Sequence, residues 1–137
     1  MTAPETTLTR IDVERLTKLI EKHESGQFAA AARLLRSKIA SSPSIPAEQV
    51  PPDLVTMNSL VAYVDEATGK ESEVVMAYPR DADPWRGRVS ILSPVCATLL
   101  GLKIGQSAGC TMQDGTVARL KVVAIKYQPE KAGDLHL

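Results

Sequence analysis

Residues 93–105 read Ser-Pro-Val-Cys-Ala-Thr-Leu-Leu-Gly-Leu-Lys-Ile-Gly, and this stretch decides the fold. It predicts a short apolar helix in which Pro94 takes the first helical position and Ser93 caps the free N–H groups. Gly101 can adopt the left-handed conformation that ends a helix. Because the segment is too apolar for a surface, we expect strands to wrap around it. No acid, base or nucleophile stands out within it, which favours a binding module over an enzyme.

Two amphipathic helices are predicted near the start of the chain. Their apolar residues follow helical spacing and form two sets: Ile11, Val13, Leu16, Leu19 and Ile20, then Phe28, Ala31, Ala32, Leu35 and Ile39. Only a short break at Ser25-Gly26 separates the sets, which predicts an antiparallel helical hairpin. At 1.5 Å per residue such a hairpin is about 20 Å long.

Polar residues complete the prediction for these helices. Thr9 or Asp12 could cap the first helix. Glu14 stands four residues before Lys18, the favourable order for an ion pair on a helix. On the second helix, Lys38 lies off the apolar stripe, as do the neighbouring arginines.

A proline-rich linker and a change of period mark the rest of the chain. Residues 43–52 hold four prolines, which forbid a helix and favour a stiff, extended path. Beyond it the apolar residues alternate, which predicts strands at 60–65, 71–78, 88–92, 107–112 and 116–127. The predicted class is α+β, with a short helical hairpin and frayed start at 1–42, the linker at 43–52 and an antiparallel sheet around one short helix at 53–137.

Composition excludes several classes of function. Sixteen basic residues balance sixteen acidic ones, so a basic nucleic-acid footprint is absent and no attraction to anionic membranes is expected. No apolar run is long enough to span a membrane, and the start has no signal-peptide pattern, so we expect a cytoplasmic protein. Cys96 and Cys110 are expected to be buried apolar residues, too few with two histidines for a zinc site. We therefore expect no metal, no cofactor and a monomer.

Four motifs resemble a known family: residues 55–59 (Val-Thr-Met-Asn-Ser), Tyr78-Pro79, the segment 93–105, and Tyr127-Gln128-Pro129-Glu130 with the following Ala-Gly-Asp. Together they cover about residues 53–134 and resemble the regulator of nucleoside diphosphate kinase (Rnk) family. That family is similar to the C-terminal domain of the Gre transcript-cleavage factors. The resemblance implies an FK506-binding-protein-like fold for residues 53–137. It also implies a protein partner, RNA polymerase, bound near the mouth of its secondary channel.

The helical hairpin departs from the Gre pattern. In Gre factors a long coiled coil carries acidic residues to the polymerase active site, where they help to hold a catalytic metal. Here the hairpin is too short for that reach, and its tip offers only Glu24, with Glu21 nearly a turn back. We therefore predict docking and competition with Gre-type factors without transcript cleavage, and an indirect effect on nucleoside diphosphate kinase levels.

The predicted contact residues are Leu92, Ser93, Pro94 and Val95, because the first turn of an enclosed helix is its exposed end. Leu92 occupies a position that is often acidic in Gre factors. Trp85 and Arg86 form a second possible contact, since tryptophan and arginine are enriched in binding hot spots. The alternatives are a generic protein-interaction module and a peptidyl-prolyl isomerase. The isomerase would need an aromatic-lined cleft that five scattered aromatic residues do not favour.

Overall fold

A computed structural model describes residues 5–134 of the chain. The main elements follow in chain order: β1 (Leu8–Thr9), α1 (Arg10–Lys22), α2 (Ala29–Ser41), β2 (Ser44–Ile45), β3 (Leu60–Asp65), β4 (Glu71–Ala77), β5 (Arg88–Ser90), α3 (Pro94–Leu99), β6 (Ser107–Thr111), β7 (Val117–Tyr127) and α4 (Pro129–Ala132). Short 3₁₀ turns occur at Ala47–Gln49, Pro79–Asp81 and Pro84–Arg86. The predicted α+β class is confirmed. The frayed start predicted for the first residues lies partly outside the described range.

The central sheet has the strand order β5-β4-β3-β7-β6. All of its pairs are antiparallel except β4 with β5, where Val75 pairs in parallel with Arg88. The predicted antiparallel sheet is confirmed for every pair except this one at the edge, which the sequence pattern did not predict. The physical reason is the loop after β4, whose two 3₁₀ turns carry the chain back so that β5 runs in the same direction as β4.

The helix α3 lies where the apolar segment predicted it. The Ser93 hydroxyl accepts a hydrogen bond from the Cys96 N–H at 3.3 Å, so the predicted cap is confirmed. Beyond its end, Gly101 has φ +82°. A Cβ at Gly101 would stand 3.0 Å from the side chains of Thr6 and Leu8, so glycine lets the N-terminal segment cross the end of α3.

The helices α1 and α2 form the predicted hairpin and pack on the same core as the sheet. Thr9 caps α1 by accepting a hydrogen bond from the Asp12 N–H at 3.0 Å. The core is continuous from one part to the other and includes, among its buried members, Leu16, Leu35, Met57, Leu99 and Val122. Burial of this shared apolar surface is what holds the hairpin on the sheet.

The segment predicted as a linker also takes part in the packing. Its start pairs with the chain before α1, because β2 runs parallel to β1 and the Leu8 N–H donates to the Pro43 carbonyl at 3.0 Å. At its end the Pro51 carbonyl accepts a hydrogen bond from the Gln128 amide at 2.8 Å. The division at residues 43–52 stays a prediction, but the two parts that it separates are packed against one another.

Two polar side chains, the buried Asp12 and the partly buried Lys38, join the hairpin to the sheet. From α1, the Asp12 carboxylate accepts a hydrogen bond from the Met57 N–H at 3.1 Å. From α2, the Lys38 ammonium donates to the carbonyls of Thr98 and Leu100, each at 2.7 Å. These carbonyls lie at the end of α3, where a helix leaves its last carbonyl groups without internal partners. Lys38 thus completes the hydrogen bonding of the enclosed helix.

The C-terminal motif holds the segment before β3 in place through hydrogen bonds. The buried Gln128 amide donates to the carbonyls of Pro51 and Leu54, both at 2.8 Å, and its oxygen accepts from the Lys131 N–H. Next to it, the Thr56 hydroxyl donates to the Glu130 carboxylate at 2.7 Å. These motif residues therefore serve the fold through their hydrogen bonds.

Candidate docking site

The turn at residues 92–95 connects β5 to α3 and is held by backbone hydrogen bonds. The Ser93 N–H donates to the Ser90 carbonyl at 2.9 Å, and the Leu92 N–H donates to the Ser90 hydroxyl at 3.1 Å. Pro94 occupies the first helical position, so its ring fixes the backbone at the start of α3. The turn is consequently preorganised, which lowers the entropy that a partner would have to remove on binding.

Four predicted contact residues meet at this turn, but they are not equally accessible. Ser93, Pro94 and Val95 are partly exposed. Leu92 is only 2% exposed, and its side chain belongs to the core. A partner on this surface would touch the three residues after Leu92, while Leu92 supports the turn from below. Contact by these residues stays a prediction.

Pro94 stands between two grooves that share it as a wall. The first, called here the hairpin groove, has a volume of about 690 Å³ and lies between α2, the turn and the β6–β7 loop. The second, called the sheet groove, has a volume of about 490 Å³ and runs from the turn over the sheet. The hairpin groove is lined by Gln27, Phe28, Ala30, Ala31, Leu34, Leu92, Pro94, Ala97, Thr98, Gly109, Thr111, Met112 and Gln113. The sheet groove is lined by Tyr63, Val74, Val89, Ser93, Pro94, Val95, Met112, Gln113 and Asp114.

The grooves show which residues sequence reasoning missed. Phe28 and Leu34 come from the hairpin, and Met112 and Gln113 from the loop between β6 and β7, yet all of them line the same groove as Pro94. The helical spacing of Phe28 and the turn after Met112 are visible in the sequence, but their meeting at Pro94 is not. The arrangement is a rigid apolar projection between two concave surfaces, which suits a protein partner with a complementary ridge.

Two titratable side chains near the turn, Cys96 and Tyr63, both have raised pKa values. Burial raises the pKa of the Cys96 thiol to about 12, so the thiol stays protonated and is a poor nucleophile. Burial also raises the pKa of Tyr63. Each groove contains one aromatic side chain, Phe28 in the hairpin groove and Tyr63 in the sheet groove, so neither is the aromatic-lined cleft that an isomerase would need.

Trp85 and Arg86, the second predicted contact, lie in the 3₁₀ turn before β5. The Trp85 side chain is 98% exposed, and the Arg86 guanidinium lies 3.6 Å from the Asp83 carboxylate. Trp85 lines neither groove beside Pro94. An indole left in water is a large apolar surface available to a partner, so this contact also stays a prediction.

The two glutamates of the hairpin tip differ in their surroundings. Glu24 forms an ion pair with Arg36 of α2, so the tip's acidic residue is matched by a cation of this chain. Glu21 is exposed on α1. Each helix of the hairpin has 13 residues and is therefore about 20 Å long, as predicted.

Within residues 5–134, no group of three or more histidine, cysteine, aspartate or glutamate side chains is placed to hold a metal ion. None of the helices in that range combines the length and apolar character needed to cross a bilayer.

Comparison with known proteins identifies the relatives of this chain. Residues 50–127 match the family described as Transcription elongation factor, GreA/GreB, C-term. The chain is 32% identical over 138 residues to the regulator of nucleoside diphosphate kinase of Escherichia coli (strain K12), and the match covers 98% of each. It is 26% identical over 105 residues to transcription elongation factor GreA of Geobacillus kaustophilus (strain HTA426), covering 77% of this chain and 66% of that one.

A solved structure extends the likeness to the fold. The prokaryotic transcription elongation factor GreA/GreB from Nitrosomonas europaea superposes with a TM-score of 0.71 at 31% identity, covering 90% of this chain and 99% of that chain. The relatives named here are described as a regulator and as transcription elongation factors. The resemblance drawn from the four motifs is thus confirmed: the chain belongs to the regulator of nucleoside diphosphate kinase family, which shares the C-terminal domain of the GreA/GreB elongation factors.

Proposed function

We propose that this protein regulates transcription by occupying RNA polymerase near the mouth of its secondary channel, in competition with Gre-type factors and without chemistry of its own. The observation that carries the proposal is the preorganised turn at Ser93–Val95 between its two grooves, in a chain whose relatives include GreA. The mechanism is mass-action occupancy of a shared site. An effect on nucleoside diphosphate kinase levels then follows indirectly, through transcription.

The geometry of the hairpin supports binding without transcript cleavage. A helix of about 20 Å cannot carry its tip far from a domain docked at the channel rim. At the tip, Glu24 is paired with Arg36 rather than with a second carboxylate. A catalytic metal is held by several oxygen ligands, and a single glutamate that already pairs with an arginine does not supply them. The same hairpin still occupies the space beside the docked domain.

A binding titration tests the proposal. Labelled protein is titrated with core RNA polymerase, then displaced with a Gre factor, and transcript cleavage is followed in parallel in stalled complexes. We expect saturable binding, displacement by the Gre factor and no cleavage above background. Absence of binding would overturn the proposal, and cleavage stimulated by this protein would overturn its non-catalytic part.

The double variant Ser93→Ala/Pro94→Ala should bind core polymerase about tenfold more weakly than wild type, which corresponds to about 1.4 kcal/mol of binding free energy. The change removes the rigid apolar projection and loosens the start of α3. The measurement is the same titration. A control, Ser44→Ala/Pro46→Ala, changes the same residue types in a segment that lines neither groove and should bind as wild type does.

A second variant separates loss of contact from loss of fold. Removing the Ser93 cap costs about 1 kcal/mol of stability, so the double variant must be checked by thermal unfolding. Pro94→Glu keeps the Ser93 cap and places an acidic residue in the first turn of α3, which a helix tolerates well. It should remain folded and lose polymerase binding. Undiminished binding by folded Pro94→Glu would show that the partner does not use this turn.

A further inference from the structure

A third concave surface, unconnected with the turn at Ser93–Val95, lies between α1 and the 3₁₀ turn Pro79–Asp81. Its volume is about 370 Å³, and it shares no lining residue with the two grooves beside Pro94. We call it the basic groove, because four of its walls are cationic side chains: Arg15, Lys18 and Lys22 from α1, and Arg80 from the turn opposite.

The cations of α1 form a row along one face of the helix, where an elongated ligand could contact them in turn. Spacings of three and four residues put Arg15, Lys18 and Lys22 on one face, one turn after another. Two lysines four residues apart repel one another, which is unfavourable for the helix itself. At 1.5 Å per residue, Arg15 and Lys18 stand about 4.5 Å apart along the helix axis and Lys18 and Lys22 about 6 Å. The spacing of the two lysines is close to the ~6.7 Å repeat of alternate side chains in an extended peptide.

The two lysines of the basic groove are not neutralised by an ion pair within the described residues. Within residues 5–134, Lys18 and Lys22 make no ion pair, although Glu14 stands at the spacing that predicts one with Lys18. Arg80 lies 3.7 Å from the Asp81 carboxylate, but the Arg80 side chain is 87% exposed, so this ion pair is weak. Lys18 and Lys22 thus give the groove a local positive charge in a chain whose net charge is zero.

The floor of the groove is apolar. It is formed by Leu19 of α1 and by Tyr78 and Pro79. The Tyr78 hydroxyl points away from solvent, buried near Asp12 and Arg15, so the residue offers the groove carbon surface rather than a polar end. A ligand that fits must combine negative charge at its edges with an apolar side chain between them.

We propose that the basic groove binds an extended acidic segment of a protein partner, with carboxylates on Lys18, Lys22 and Arg80 and an intervening apolar side chain against Leu19 and Pro79. The apolar floor favours such a peptide over a phosphate backbone, which has no group to bury there. The balanced charge of the chain also lacks the broad basic footprint of a nucleic-acid binder. This surface goes beyond the docking proposed above and does not depend on it.

The test uses the full chain and a short fluorescein-labelled peptide in which Glu alternates with Leu or Ser. Its matched peptide carries Gln in place of Glu, and an oligouridylate of similar length serves as the polyanion without apolar side chains. Binding is followed by fluorescence anisotropy at low and high salt. We expect the Glu peptide to bind, the Gln peptide to bind at least about tenfold more weakly, and binding to weaken as salt rises.

Charge reversal locates the site. Lys18→Glu/Lys22→Glu should weaken binding of the Glu peptide about tenfold or more. Because glutamate is a good helix former at exposed positions, the variant should remain folded. The control Arg33→Glu/Lys70→Glu makes the same change of net charge at exposed positions outside the groove and should bind as wild type does. The proposal is overturned if no peptide binds, if the two double variants lose affinity equally, if the Gln peptide binds as well as the Glu peptide, or if the oligouridylate binds more tightly than the Glu peptide.

Discussion

Lys38→Met is expected to destabilise the protein increasingly as the pH rises. Burial lowers the pKa of Lys38 from 10.5 to about 7, so between these values the unfolded chain holds a proton that the folded chain does not. The stability of the wild type therefore rises with pH across that window, and the methionine variant lacks this rise. From about pH 6.5 to about pH 9.5 the difference in free energy of unfolding between the two proteins should grow by about 3 kcal/mol.

Two opposing effects explain why Lys38→Met loses little stability relative to wild type at low pH. A charged ammonium is costly to bury, and Lys38→Met removes that cost. The variant also leaves the carbonyls of Thr98 and Leu100 without their donor in a buried place, which is unfavourable at every pH. Above neutral pH the neutral amine still donates to both carbonyls without the cost of a buried charge, so the second effect dominates.

Denaturant unfolding at a series of pH values measures the difference. The control Lys70→Met removes an exposed lysine from the β3–β4 turn and should differ from wild type by the same small amount throughout. A difference between Lys38→Met and wild type that stays constant from neutral to alkaline pH would show that Lys38 keeps its charge when folded. In that case the two carbonyls stabilise the ammonium as fully as water does.

The second large effect is expected at Asp12, with the opposite dependence on pH. Burial raises the pKa of Asp12 from 3.8 to about 6, with Glu130 adding to the rise and the Met57 N–H opposing it. Between these two values the folded chain holds a proton that the unfolded chain has lost, so the free energy of unfolding falls as the pH rises. The stability contributed by protonated Asp12 is complete below the unfolded pKa and is lost as the pH rises through about 6. Relative to wild type, Asp12→Asn should gain about 2 kcal/mol of stability between about pH 4 and about pH 7.

Asparagine is the appropriate replacement because its side-chain oxygen can still accept the hydrogen bond from the Met57 N–H. Comparing each variant with wild type at the same pH cancels the titration of the other acids. An exposed control, Asp81→Asn, makes the same replacement away from the core and should differ from wild type by the same small amount throughout. Equal pH profiles for wild type and Asp12→Asn would mean that Asp12 ionises as freely in the fold as in the unfolded chain.

The two residues also bear on the shape of the proposed docking site. Asp12 joins α1 to the segment before β3, and Lys38 joins α2 to the end of α3, so together they set where the hairpin lies. Phe28 and Leu34 of the hairpin line one of the two grooves beside Pro94. A hairpin that shifts would therefore change the shape of the proposed docking site even if Ser93–Val95 kept its conformation.

Local signals explain what could be predicted about the site. Ser93 and Pro94 act on N–H groups within one turn of themselves, so the cap and the helix start follow from neighbours in sequence. The same holds for Thr9 at the start of α1. The solvent accessibility of Leu92 could not be predicted from neighbouring residues. Leu92 lies in the core because the chain turns inward between β5 and α3. Only tertiary packing determines which side of a turn faces water.

Interactions between distant residues account for what could not be predicted. The off-stripe position of Lys38 gives no sign that its ammonium reaches the end of α3, sixty residues away in the chain. The parallel pairing of β5 depends on the path of a loop with two 3₁₀ turns. The spacing of Glu14 and Lys18 predicts a pair that the structure does not contain, because an exposed pair gains little energy and the side chains are free to lie elsewhere.

The sequence by itself determined the class of the fold, the extents of the two hairpin helices and of the strands, the enclosed helix with its cap, and, through four motifs, the family. These properties depend on periodicity and on contacts between near neighbours, which a linear pattern records directly. Only the tertiary structure decided how the hairpin sits on the sheet, which residues surround Pro94, and that four cations from α1 and a distant loop line one groove. Those properties arise where separate elements meet, and their geometry depends on the packing of the whole core.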